Sequence, residues 1–144
     1  MTTRRNKGGF TLVELLLVLI IIATLAAIVV PRFVGRSEEA REAAAKAQVS
    51  IFEGALQRYE LDNGRFPTTE QGLSALVTKP SSPPEPKKWK GPYLTKGVPK
   101  DPWGNVYKYL SPGKNSKDYD LWAMGPDGQD GGEDDVVSWI TEDK

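Results

Sequence analysis

Five carboxylates stand within nine residues near the C-terminal end of the chain. Asp127, Asp130, Glu133, Asp134 and Asp135 are separated by Gly128, Gly131 and Gly132. Like charges crowded in this way repel one another unless something neutralises them. Hard oxygen donors on a flexible backbone suit Ca²⁺, which takes six to eight oxygens and tolerates irregular geometry. The spacing excludes an EF-hand, because the third position counted from Asp127 is Gln129 and the twelfth is Ser138. A solvated acidic turn accounts for the same residues, and composition leaves the two readings level.

A sixth carboxylate is conspicuous for the opposite reason. Glu14 sits inside the run Phe10–Val30, FTLVELLLVLIIIATLAAIVV, which is otherwise almost wholly apolar. A charge there costs about 3 kcal/mol on membrane-insertion scales, and an intramembrane carboxylate needs a partner. The run itself supplies none.

Other chemistry is removed by composition. The chain has no Cys and no His, so thiol nucleophiles, thiolate zinc sites, imidazole acid–base catalysis and the Ser-His-Asp triad are all unavailable. Carboxylates, hydroxyls and lysines remain, which disfavours an enzyme. Formal net charge is zero over 144 residues, so no global field favours nucleic acid. Trp89, Trp103, Trp122 and Trp139 have no basic face beside them and read as packing residues rather than a stacking platform. No nucleic-acid partner is expected.

The elements that position these groups can be read from period and punctuation. Residues 10–30, at about 1.5 Å rise each, cross a hydrocarbon core of roughly 30 Å as a helix. Arg4, Arg5 and Lys7 before the run keep residues 1–9 cytoplasmic, and the chain after Pro31 crosses to the far side, the periplasm in a bacterium. An ordinary signal peptide cleaved near Ala23 to Ala27 competes with this reading, but Glu14 and the continuing periodicity oppose it. Beyond the span, Ala44, Ala47, Ile51, Ala55 and Tyr59 recur at helical spacing with Phe52 and Leu56 beside them, predicting one rod from Phe10 to Leu61. Asp62-Asn63-Gly64 ends it. Thr68 or Thr69 is placed to cap a short helix reaching Val77. The stretch from Lys79 to Pro92 is too rich in proline and lysine for a packed element and reads as a surface loop. Strands are expected at Val106–Leu110, Tyr119–Met124 and Val136–Ile140, as an antiparallel sheet that buries its apolar side on the long helix. The fold class is α+β.

Gly8-Gly9-Phe10-Thr11-Leu12-Val13-Glu14, after a basic leader and before an apolar helix, resembles the prepilin processing motif of type IV pilins and type II secretion pseudopilins. The resemblance implies a pilin-like fold and cleavage between Gly9 and Phe10 by a membrane prepilin peptidase. It also implies methylation of Phe10 and an assembly role for Glu14, whose carboxylate pairs with the Phe10 amine of a neighbouring subunit. A bond within one subunit is the simpler alternative, since positions four apart share a helix face.

Tyr59–Leu73 (YELDNGRFPTTEQGL), Gly91-Pro92-Tyr93-Leu94, Pro99–Gly104 and Tyr119-Asp120-Leu121 narrow the resemblance to the major pseudopilins of type II secretion. Type IV pilins share the helix but commonly carry a C-terminal disulfide loop, which this chain cannot form. The family implies one Ca²⁺ bound in residues 124–135 by Asp127, Asp135 and the backbone carbonyls of Met124 and Pro126. Its middle ligand is Asp134 by this reading, with Glu133 or Asp130 as alternatives, because the loop is shorter than the family pattern. It also implies a homopolymer that works with minor pseudopilins, an inner-membrane assembly platform and a cytoplasmic ATPase. The subunit waits in membrane lipid of the inner membrane with residues 31–144 in the periplasm. A membrane-anchored calcium-binding module is the competing class.

Overall fold

The computed structural model describes residues 9–139, apart from the side chains of residues 28–36. The chain divides into two units, Met1–Glu39 and Ala40–Lys144. One helix, α1, is assigned from Leu12 to Asn63 and contributes to both.

In the first unit the helix opens on a capped turn. The Thr11 hydroxyl accepts the Glu14 amide at 3.2 Å, and the Thr11 carbonyl accepts the Leu15 amide at 3.2 Å. This is half of the S/T-x-x-E capping arrangement, which satisfies one of the helix's orphan donors. Thr24 turns its hydroxyl back onto the Ile20 carbonyl at 2.7 Å, so a polar group on an apolar surface meets its own need for a partner. Leu12, Val13, Leu15, Leu16, Leu17 and Leu25 are all more than half exposed. Among the described residues no helix is long and apolar enough to cross a membrane. The expected span ends on residues 28–30, whose side chains lie outside the described ones, as does the leader apart from Gly9.

In the second unit the helix buries Ala45, Val49, Phe52, Ala55, Leu56 and Tyr59. The core stripe is therefore set one residue later than the periodicity predicts at its start. Ala44 and Ala47 are exposed, and Ile51 is 54% exposed. Two apolar stripes lie side by side here, and the larger Val49, Phe52 and Leu56 win the inward positions because they bury more apolar area per residue. Gly64 closes the helix in the left-handed region at φ 75°, its amide reaching the Glu60 carbonyl at 2.7 Å.

After a turn in which Thr68 and Gln71 exchange backbone-to-side-chain bonds at 3.2 Å each, the expected short helix is only a single 3₁₀ turn, Leu73–Leu76. Gly72, at φ 57°, separates the two. No strand or helix forms between Lys79 and Pro92, as composition predicts.

The strands are β1 (Lys108–Leu110), β2 (Asp120–Ala123) and β3 (Val136–Val137), an antiparallel meander in the order β1-β2-β3. Tyr109 faces Leu121 and Trp122 faces Val137 across the ladders. Each strand is shorter than expected. Val106 is exposed because the preceding turn, not the sheet, uses its neighbour Asn105. β2 ends where Gly125 turns the chain at φ 65°. Ile140 lies outside the described residues. The Ser138 amide still reaches the Leu121 carbonyl at 2.9 Å. Helix and sheet share one core, in which Phe52 meets Tyr107 edge-on at 5.0 Å between ring centres.

Candidate functional site

The acidic loop joins β2 to β3, so whatever orders it also fixes the last strand. Asp127 and Asp134 come together across it. The Asp127 amide points at an Asp134 carboxylate oxygen at 3.5 Å, while Asp127 itself accepts the Gln129 amide at 2.8 Å. Glycine permits this closure: a Cβ at Gly125 or Gly132 would run into the Asp134 carboxylate. Asp135 accepts the Gly131 amide on one oxygen at 2.8 Å. Its other oxygen is buried without a hydrogen-bond partner. Burial pushes the Asp135 carboxyl above its ordinary range, the Gly131 amide pulls it back, and Asp134, Asp130 and Asp127 push it up again. Among the described residues no group of three or more carboxylates stands close enough to hold a metal ion by itself. Any cation here has to draw on backbone carbonyls as well.

The other expected ligands occupy the same turn. Met124 is half-buried and Pro126 exposed. Asn105 braces them, since its side-chain amide donates to the Gly125 carbonyl at 3.4 Å. Asn105 belongs to the Asp101-Pro102-Trp103-Gly104 turn, where Asp101 accepts the Trp103 and Asn105 amides at 3.0 and 2.8 Å. Asp130 is otherwise engaged: its carboxylate accepts the Trp122 indole N–H at 2.9 Å. Glu133 is exposed. At the other end of the chain, Gly9 and Phe10 are exposed just before the capped turn, Phe10 by 76%. Among the described residues the Glu14 carboxylate makes no hydrogen bond. Its backbone serves the cap and its side chain is left over.

One carboxylate of consequence was not among the sequence-predicted sites. Asp120, 1% exposed, gathers the Lys114, Asn115 and Ser116 amides, the Asn115 side chain and the Ser116 hydroxyl at 2.8 to 3.0 Å. Burial acts to raise its pKa, but those donors outweigh burial and hold it below the ordinary range. The sequence signal was available in Gly113 and the Lys114-Asn115-Ser116 triplet, a turn-forming stretch in need of an acceptor. A Cβ at Gly113 would strike the Asp120 carboxylate.

Comparison with known proteins decides between the classes. Residues 32–139 match the family described as type II secretion system (T2SS), protein G, and residues 4–30 match the prokaryotic N-terminal methylation motif. The chain belongs to the type II secretion system protein G family. It is 45% identical over 140 residues to the type II secretion system core protein G of Aeromonas hydrophila, covering 97% of each chain. The Vibrio cholerae protein of that name is 44% identical over 146 residues, 99% of both. A solved structure, the major pseudopilin from the type 2 secretion system of enterohaemorrhagic Escherichia coli, superposes with a TM-score of 0.67 at 43% identity. That match covers 77% of this chain and 96% of the other. The fold is pilin-like, and the chain is a structural subunit of the secretion pseudopilus, not an enzyme. As such it assembles with other components of the secretion system.

Proposed function

We propose that residues 1–9 are a leader, that a prepilin peptidase cuts between Gly9 and Phe10, and that the new Phe10 amine is methylated. Residues 10–30 then hold the subunit as a single pass in the inner membrane, with residues 31–144 in the periplasm. Assembly draws the helix into the pseudopilus, driven by a cytoplasmic ATPase through a membrane platform and joined by minor pseudopilins. The growing fibre moves folded proteins outward. The observation that carries this reading is the methylation-motif match over residues 4–30, laid on a helix whose described apolar side chains are exposed from Leu12 to Leu25. Surface of this kind needs lipid or other helices to cover it. Glu14 pairs with the Phe10 amine of a neighbour and fixes axial register as helices bundle, which removes the cost of an isolated charge in hydrocarbon.

One Ca²⁺ orders residues 124–135, held by the carboxylates of Asp127, Asp134 and Asp135 and by the carbonyls of Met124 and Pro126. The partnerless buried oxygen of Asp135 supports this, as does the approach of Asp134 to Asp127. An irregular mixture of carboxylate and carbonyl oxygens suits calcium better than a smaller octahedral ion. Bound cation supplies neutralisation; the chain supplies the closed loop and hence the seat of β3.

Mass spectrometry of subunits from purified fibres tests the processing. The expected N-terminus is methylated Phe10. Gly9→Asp should stop cleavage and leave Arg4, Arg5 and Lys7 holding the helix at the cytoplasmic face. Glu14→Leu should be cleaved normally yet give few fibres. Normal fibres built of uncleaved Gly9→Asp chains would overturn the proposal.

A further inference from the structure

The charges of this chain cancel overall, 19 basic against 19 acidic, but they are sorted along it. Lys87, Lys88, Lys90, Lys96 and Lys100 are exposed on one stretch, and Asp127, Asp130, Glu133 and Asp134 on another. Among the described residues no ion pair joins the two sets; Lys90 pairs instead with Asp62, at 3.1 Å.

The basic stretch is held in place rather than loose. The Arg65 guanidinium donates to the Pro84 and Glu85 carbonyls. Gln71 donates to the Ser82 and Pro84 carbonyls at 2.9 and 3.2 Å, and the Trp89 indole to the Ala75 carbonyl at 3.0 Å. Between this stretch and the end of α1 lies a groove of about 380 Å³, lined by Leu61, Asp62, Arg65, Glu85, Lys87 and Lys88. Leu61, on its wall, is 80% exposed. Asp62 is paired with Lys90, which leaves Arg65, Lys87 and Lys88 against Glu85 on the wall, a net basic rim beside an uncovered apolar side chain that suits an anionic partner.

We propose that this groove receives the acidic loop, residues 127–135, of a second copy of the chain. The inference rests on reading the chain as a filament subunit. An open filament requires a heterologous contact, in which two different patches of one chain meet on neighbouring copies. An isologous contact through the groove would bring two net basic rims together. The sorted charges provide one complementary pair per subunit, and such pairs steer encounter and fix register more than they add affinity. The loop keeps net negative charge with one divalent cation in it, since it carries five carboxylates. Glu133 is the side chain best placed to reach across. It is exposed and stands outside the proposed metal set.

The cysteine-free chain makes the test direct. Full-length chains carrying both Lys88→Cys and Glu133→Cys are assembled into fibres and treated with a short flexible bis-maleimide. An ion pair of two long side chains holds its Cα atoms farther apart than the roughly 7 Å that a direct disulfide spans. The linker therefore takes the place of the ion pair, and the expected result is a ladder of dimer, trimer and higher species. Each single variant should give dimers at most. In a parallel arm, Lys87→Glu with Lys88→Glu should lower fibre yield, and Glu133→Lys added to the same chains should restore part of it. Fibres of the double-cysteine chain without a ladder would overturn the proposal and leave the filament reading intact, as would a lysine pair whose reversal has no effect. Reversal that lowers yield with no restoration by Glu133→Lys would also overturn it, and would point to an anionic lipid surface as the occupant. Failure of the parent chain to form fibres would strike the filament reading instead.

Discussion

Two loops lead into two strands of the same sheet, and each carries a buried aspartate oxygen at its end. At the start of β2, Asp120 is surrounded by amides and a hydroxyl that the preceding loop supplies. Before β3, Asp135 has one amide for one oxygen and nothing for the other. The two carboxyls are pushed in opposite directions, Asp120 below its ordinary range and Asp135 above it. The first loop is complete as a folded object. The second is closed enough to bury charge but lacks the donors to balance it, and it is the loop with five carboxylates. A self-satisfied loop is architecture; an unsatisfied one is a request for a ligand.

The largest effect is expected at the complete loop. Asp120→Ala leaves the Lys114, Asn115 and Ser116 amides without an acceptor and should cost about 3 kcal/mol in urea unfolding, with or without calcium. Because the folded pKa of Asp120 lies below 3.8, its contribution is fully present above that value and is lost as pH falls through the folded pKa. Melting temperature should therefore drop below about pH 4 in the parent and less steeply in Asp120→Asn. An Asp120→Ala protein as stable as the parent would remove one side of the comparison.

The second effect separates the loops. In a fragment beginning at Ala40, the start of the second unit, calcium at a hundredfold excess over Kd should stabilise by about 2.7 kcal/mol. Magnesium should do little. Chelation returns the carboxylates to mutual repulsion and loosens β3. Asp127→Ala and Asp135→Ala should each abolish the calcium response while keeping the acid sensitivity that Asp120 confers. Identical melting curves with calcium and with chelator would make the second loop a charged turn.

Much of this was legible in the residues. The long helix, its stop at Gly64, the unstructured lysine–proline stretch and the three-strand meander follow from period and turn chemistry, and the family was carried by Gly8–Glu14 and Tyr59–Leu73. The phase of the core stripe was not legible from spacing, because Ala44, Ala47 and Ile51 make as regular a helical row as Ala45, Val49 and Phe52; side-chain size separates them, and the larger row packs inward, with Phe52 against Tyr107. β1 starts later than side-chain type predicts for a related reason: Val106 has a strand residue's side chain, but its neighbour's amide is committed to Asp101. The Asp120 cage is only half legible: the turn-forming Gly113–Ser116 stretch signals amides in need of an acceptor, but nothing in the spacing names Asp120 as that acceptor. At the acidic loop the carboxylates were plain, whereas which of them meet depends on glycine closure around Asp134.

The smallest expected effect sharpens the comparison within the acidic loop itself. Asp130 lies among the five carboxylates, yet its oxygen accepts the Trp122 indole N–H at 2.9 Å, and Trp122 in turn meets Trp139 edge-on at 5.9 Å. A carboxylate oxygen aimed at an indole donor is turned toward the sheet, so its charge is spent on positioning the two tryptophans. Asp130→Ala should cost only about 0.5 kcal/mol, the low end for a hydrogen bond at an exposed site. It should alter the tryptophan fluorescence of the folded protein and leave the calcium response in place. Asp134→Ala, measured beside it, should lose that response with little change in fluorescence. If instead Asp130→Ala loses the response and Asp134→Ala keeps it, the loop closes on calcium through Asp130 with the indole released, and the approach of Asp134 to Asp127 belongs only to the metal-free chain.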